Sequence, residues 1–210
     1  MTTVKTHLIY QFKVTLQEIE PPIWRRLQVP ARSSFWDLHV ALQNAMGWLD
    51  YHLHAFRLHR PPQRKMIEIG IPDDGESDDE VLPGWTMPIC DIFTEPGQTA
   101  LYLYDFGDGW QHEVLLEGIL LKEKGVTYPR CLAGERACPP EDCGSVPGYY
   151  RVVDIIRNPR HDEYPETMTW LKGHAKNYDP YDPSAFDPGD VKFDNPTKRW
   201  QLAFTERGES

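Results

Sequence analysis

The chain has 210 residues, 40% of them hydrophobic and 12% aromatic, and a formal net charge of -10. That length suits one domain with an appended tail, or at most two small domains, and the composition excludes a disordered chain. The negative balance repels phosphate backbones, so a nucleic-acid role needs a local basic patch, and the densest basic group is only Trp24-Arg25-Arg26 followed by Arg32.

Tyr10, Phe12, Val14 and Leu16 alternate with Gln11, Lys13, Thr15 and Gln17, a period of two that marks a strand with one buried face. After Glu20-Pro21-Pro22, Ile23 to Val29 reads as a second strand, joined to the first as an antiparallel hairpin. Ser34 and Asp37 have the spacing of a capping box. Leu38, Ala41, Leu42, Ala45 and Met46 follow at helical spacing, and Gly47 suits the stop.

His52 to Leu58 and Met66 to Ile71 read as further strands, with an acidic stretch from Asp73 to Glu80 as a solvated loop, a cation site being the alternative. Leu101 to Phe106 and Gln111 to Leu120 flank Gly107-Asp108-Gly109, which predicts a hairpin. Tyr149, Val152, Val153 and Ile156 share a helical face, and a second helix is expected over about Pro165 to Lys172. Beyond Gly173 the chain is rich in Pro and Asp, and should wrap the domain through Phe186, Phe193 and Trp200. The sum is an α+β domain over 1–176, a mainly antiparallel sheet with helices packed on one side, and an irregular tail over 177–210 of the same domain.

Three of the four cysteines, Cys131, Cys138 and Cys143, fall in one segment whose Gly and Pro content predicts a loop rather than a helix or strand. No apolar run approaches the length of a membrane span and Met1 to His7 lacks a signal-peptide pattern, so the cytoplasm is the expected location. In a reducing compartment clustered thiols read as metal-binding, redox-active or packed as small hydrophobes, and the spacing leaves all three open. As a zinc site, Cys131, Cys138 and Cys143 need a fourth ligand from His112, His54 or Cys90. His112 is the choice, because on its strand it shares the inward face of Val114 and Leu116.

A second constellation is His52, His54, Asp105 and Asp108. On a strand His52 and His54 face the same way, a recurrent metal-ligand arrangement that a carboxylate could complete. The competing reading makes the histidines core residues and the aspartates turn formers. Arg25 and Arg26 point to opposite sheet faces, so they form no clamp; one is expected to pack beneath Trp36 or Trp48 and the other to meet solvent or an acidic loop.

Pro21-Pro22-Ile23-Trp24-Arg25-Arg26, Ala45-Met46-Gly47-Trp48 with His52-Leu53-His54-Ala55-Phe56, Tyr104 to His112, and Cys131 through Cys138 to Cys143-Gly144 occur in this order. Together with Tyr181 to Asp187, they make a chain that resembles the plasmid pRiA4b ORF-3-like family, also labelled TnpR-like from its occurrence in mobile elements. The resemblance implies an α+β fold and no defined activity. One departure is Ser145, where the family pattern has a second Gly; Ser there implies a backbone that does not need positive φ. The resolvase label finds little support, since Ser33 and Ser34 sit where a helix cap is needed and no recognition helix is visible. The leading expectation is a mobile-element-associated binding or adaptor protein with an unidentified protein or nucleic-acid partner. The alternatives are a metal-dependent hydrolase acting on nucleic acid and a DNA-binding protein without catalysis.

Overall fold

The computed structural model describes residues 7–60, 65–72 and 81–204, so the acidic stretch Asp73–Glu80 lies outside the described residues. Among these residues the chain forms one eight-stranded sheet and four α-helices. The strands are β1 (Leu8–Leu16), β2 (Ile23–Pro30), β3 (His54–Arg60), β4 (Lys65–Gly70), β5 (Val81–Pro83), β6 (Thr99–Tyr104), β7 (Trp110–Leu121) and β8 (Arg130–Glu135). Their order across the sheet is β5-β4-β3-β6-β7-β1-β2-β8. Every neighbouring pair is antiparallel except β4 and β5, which run parallel.

The period-two pattern of β1 places Tyr10, Phe12, Val14 and Leu16 in the core and leaves Gln11, Lys13 and Thr15 on the other face. Onto the core face packs α1 (Phe35–Met46), through Phe35, Leu38, Ala41, Leu42 and Ala45. Its start is the expected capping box: the Asp37 N–H donates to Ser34 Oγ at 3.1 Å, and the Ser34 N–H donates to Asp37 Oδ2 at 2.8 Å. Ser34 is therefore occupied as a cap. Gly47 ends the helix in the left-handed region at φ 86°, as a C-terminal glycine should.

The turn between β6 and β7 forms at Gly107-Asp108-Gly109 as expected. Helix α2 (Ser145–Arg157) buries Tyr149, Val152, Val153 and Ile155. Ile156, expected on that face, is only partly buried and packs with Leu171 of α3 (Tyr164–Gly173). The tail is irregular as expected, apart from a 3₁₀ turn at Pro188–Asp190, before it closes with α4 (Pro196–Phe204). Phe186 covers Arg25, Phe193 packs on the core, and Trp200 meets Trp85 at 6.2 Å.

Three expectations are corrected. Cys131 lies on a strand, not in a loop: β8 pairs with β2 across a register shift at Arg26/Leu27, and the bulge hides the strand's alternation. Ser145 has φ 66° and follows Gly144 at φ 89°, so the chain does need positive φ there to swing from the cysteine loop into α2. Arg25 and Arg26 do point to opposite faces, but Arg25 stacks on Phe186, 3.6 Å from the ring centroid, rather than beneath Trp36 or Trp48. Arg26 reaches across β1 on the other face to pair with Glu117 of β7.

Candidate functional site

The segment after Cys138 is held against the end of the sheet by a buried carboxylate. Glu141 is 1% exposed; its Oε2 accepts the Leu49 N–H at 2.7 Å and its Oε1 accepts the Tyr104 hydroxyl at 2.5 Å. The Glu141 N–H donates to the Tyr178 hydroxyl at 3.1 Å, and the Trp48 indole N–H donates to Pro139 O at 2.9 Å. These bonds fasten the loop to the end of α1, to β6 and to the tail, and they aim the next residue, Asp142, at the approach to β3.

Asp105 arrives there from the turn after β6. Its N–H donates to Leu53 O at 3.0 Å, and its Oδ1 accepts the Gly107 N–H at 2.9 Å. Asp108, on the same turn, uses Oδ2 to accept the Gly144 N–H at 3.2 Å and so ties the turn to the cysteine loop. His52 precedes β3, with Nε2 3.0 Å from Asp142 Oδ1 and 3.7 Å from Asp105 Oδ2. Among the described residues, His52, Asp105 and Asp142 are the one group of three or more ligand-bearing side chains whose ligand atoms lie within 4.8 Å of one another.

The sequence-predicted residues divide accordingly. His52 and Asp105 come together, while Asp108 is spent on the loop. His54 goes elsewhere: β3 begins at His54, and its imidazole is buried against that of His39. The two histidines therefore do not act as one ligand face. Burial, with His39 nearby, holds the His54 ring well below the usual imidazole range, so it is neutral.

His112 points inward as expected and is fully buried, with Nδ1 3.4 Å from Tyr102 O and its ring edge-on to Trp48. Burial lowers it from the ordinary 6.5 to about 3. Its ring and the thiols of Cys131, Cys138 and Cys143 do not gather three ligand atoms within 4.8 Å. Burial raises all three thiols, Cys138 to about 12, despite the Arg25 guanidinium near Cys131 and Cys138. Thiols raised in this way are protonated at neutral pH when no metal is bound. Cys90 is buried beside Asp91 in a 3₁₀ turn.

Sequence reasoning missed Asp142, Glu141 and His174. Asp142 stands next to Cys143 in the cysteine segment, but nothing in the chain pairs it with His52, ninety residues earlier. His174, just past α3, brings Nε2 to 3.9 Å from Asp142 Oδ2.

A cavity of about 590 Å³ lies alongside, between the end of α1, Cys138-Pro139 and the tail. Its two cations are bound to carbonyls: Arg25 donates to Ala45 O, Trp24 O and Glu135 O at 2.8, 2.8 and 2.9 Å, and Lys176 donates to Gly47 O. The cavity is therefore a seam where the tail is fastened. No helix among the described residues is long and apolar enough to cross a membrane.

Similar proteins agree with this architecture. A crystal structure of a protein of unknown function, MM3350 from Methanosarcina mazei Go1, superposes with a TM-score of 0.79 at 41% identity, over 89% of this chain and 99% of that one. An uncharacterized protein, y4hQ of Sinorhizobium fredii (strain NBRC 101917 / NGR234), is 33% identical over 162 residues, 77% of this chain and 80% of its own. The model of the family described as plasmid pRiA4b ORF-3-like protein matches residues 8–190, and the chain belongs to that family.

Proposed function

We propose that the protein is a binding or adaptor protein that engages a protein partner through the uncovered face of its sheet. One observation carries this reading: on that face the half-buried Trp24 ring has Lys13 Nζ and Arg26 Cζ each 5.3 Å from its centroid. Arg26 is fixed by two charge-assisted hydrogen bonds to Glu117, at 2.6 and 2.8 Å, so the cluster is ordered before any partner arrives. Leu115 and Leu132 line a shallow groove beside it. Trp and Arg in ordered, partly desolvated settings are the residues that dominate protein interfaces.

Because Glu117 neutralises Arg26 and the chain is acidic, a protein partner fits better than a phosphate backbone. The family's description names a plasmid reading frame, which favours a partner encoded by or acting on mobile elements. The test is cross-linking in cells expressing the full chain, with links expected at Lys13. Trp24→Asp should lose the cross-linked partner without changing the melting temperature. Retention of the partner by Trp24→Asp, or robust turnover of a defined substrate by the purified protein, would overturn the reading.

The metal-dependent hydrolase is the second reading, and its favouring observation is the convergence of His52 and Asp105, with Asp142 in place of His54. It requires turnover of a nucleic-acid substrate that Asp105→Asn abolishes.

A further inference from the structure

His52, Asp105 and Asp142 reach one place from three separate segments, and each is positioned by its own surroundings. Asp105 commits Oδ1 to the Gly107 N–H and leaves Oδ2 facing His52. Asp142 is aimed by the Glu141 bonds described above and turns at φ 59°. The third group is the imidazole. His52 Nε2 is shielded from solvent yet makes no hydrogen bond: Asp142 Oδ1 is 3.0 Å away but lies outside hydrogen-bonding direction. An unbonded ring nitrogen facing two carboxylate oxygens is the donor set of a divalent cation.

His174 has a different role. Its Nδ1 accepts the Lys176 N–H at 3.2 Å, which puts the proton of a neutral ring on Nε2, the atom facing Asp142 Oδ2. At 3.9 Å it is a neighbour of the carboxylate, beyond hydrogen-bonding distance, and is not itself a ligand.

We propose that His52 Nε2, Asp105 Oδ2 and an Asp142 carboxylate oxygen bind one divalent transition-metal cation of the zinc or manganese kind. The two carboxylates balance the charge of the ion. Asp142 is about half exposed, so the site opens to solvent and water fills the remaining coordination positions. The ion joins the approach to β3, the turn after β6 and the loop before α2. The site is separate from the sheet face proposed for partner binding, and either assignment can fail without the other.

The test uses the full chain purified without an affinity tag, stripped with chelator, and titrated calorimetrically with zinc chloride and with manganese chloride, followed by elemental analysis after desalting. One ion per chain is expected. Asp142→Asn and His52→Ala should weaken binding by roughly 100-fold, at least what losing an outer partner of a ligand costs. Cys138→Ser should bind as the parent does. Asp142 is solvent-facing, so Asp142→Asn should melt at the parent's temperature, and this variant carries the result if His52→Ala does not fold. No ion bound by the parent, binding unchanged in Asp142→Asn, or metal lost only in Cys138→Ser would each overturn the assignment.

Discussion

The imidazole of His54 lies flat on that of His39, with ring centroids 3.4 Å apart and planes inclined by 7°. His39 is bound on both sides, Nδ1 to the Tyr102 hydroxyl and Nε2 to Asp50 Oδ1, each at 2.8 Å. That leaves His54 to remain neutral beside it, with burial the larger cause. His112 is also kept neutral by burial, down to about 3. In the unfolded chain both rings take up protons near 6.5, while the folded chain binds none there. Both folded values are depressed, so the stabilisation is present above about pH 6.5 and is lost as pH falls, with the His112 share ending near pH 3. His112 alone removes on the order of 1 kcal/mol per pH unit inside that window. Urea midpoints should therefore fall steeply from about pH 6.5 to about pH 4, and His112→Leu should shallow the slope. A midpoint flat over that range would refute the argument.

Arg25 is 1% exposed and gives three hydrogen bonds to carbonyl oxygens, including Ala45 O at the end of α1 and Glu135 O on β8. Phe186 from the tail closes over its guanidinium. Arg25→Lys cannot serve three carbonyls and a ring with one ammonium, so the substitution is not conservative. It should cost about 3 kcal/mol, as expected for losing hydrogen bonds from a charged donor. Phe186→Ala should leave the hydrogen bonds and loosen the tail instead, raising proteolytic cleavage after Gly173 with a smaller loss of stability. The opposite ranking of the two variants in chemical denaturation would contradict this account.

Much of the fold was legible because local chemistry and tertiary position agree. The β1–β2 hairpin follows from alternation, α1 from Ser34, Asp37 and Gly47, and the turn between β6 and β7 from its glycines. β8 was hidden by its bulge, and β5 is a three-residue strand with no pattern to read. The site was half legible. His52 and Asp105 are marked by residue type, but grouping His54 with His52 needs a strand that begins at His52, and β3 begins at His54. Asp142 comes to them through Glu141, a buried carboxylate that no spacing rule marks out.

Ser145 holds φ 66° without a glycine's freedom. A side chain in the left-handed region costs about 1–2 kcal/mol, and part of that returns as unfolded-state entropy when Gly replaces it. Ser145→Gly should stabilise the protein by about 0.5–1 kcal/mol, read as an increased urea midpoint at unchanged m-value. Destabilisation would mean the Ser145 side chain contributes more than its strain. At Gly148 a Cβ would overlap the Cys143 carbonyl, so Gly148→Ala should act in the opposite sense.

The thiols give the last prediction. Burial raises Cys138 to about 12 and Cys143 further, so near pH 8 almost no thiolate is present at either. In the native protein both should react with a disulfide reagent far more slowly than a free cysteine, and denaturant should release them together. Cys131 is less buried; its thiol is raised by burial but opposed by Arg25, and its Sγ lies 3.6 Å from Ala133 O. It should label before the other two, and removing Arg25 should slow it, because the guanidinium favours its thiolate. Fast labelling of native Cys138 would show a thiolate the buried site cannot hold, and would make the loop chemically active rather than structural.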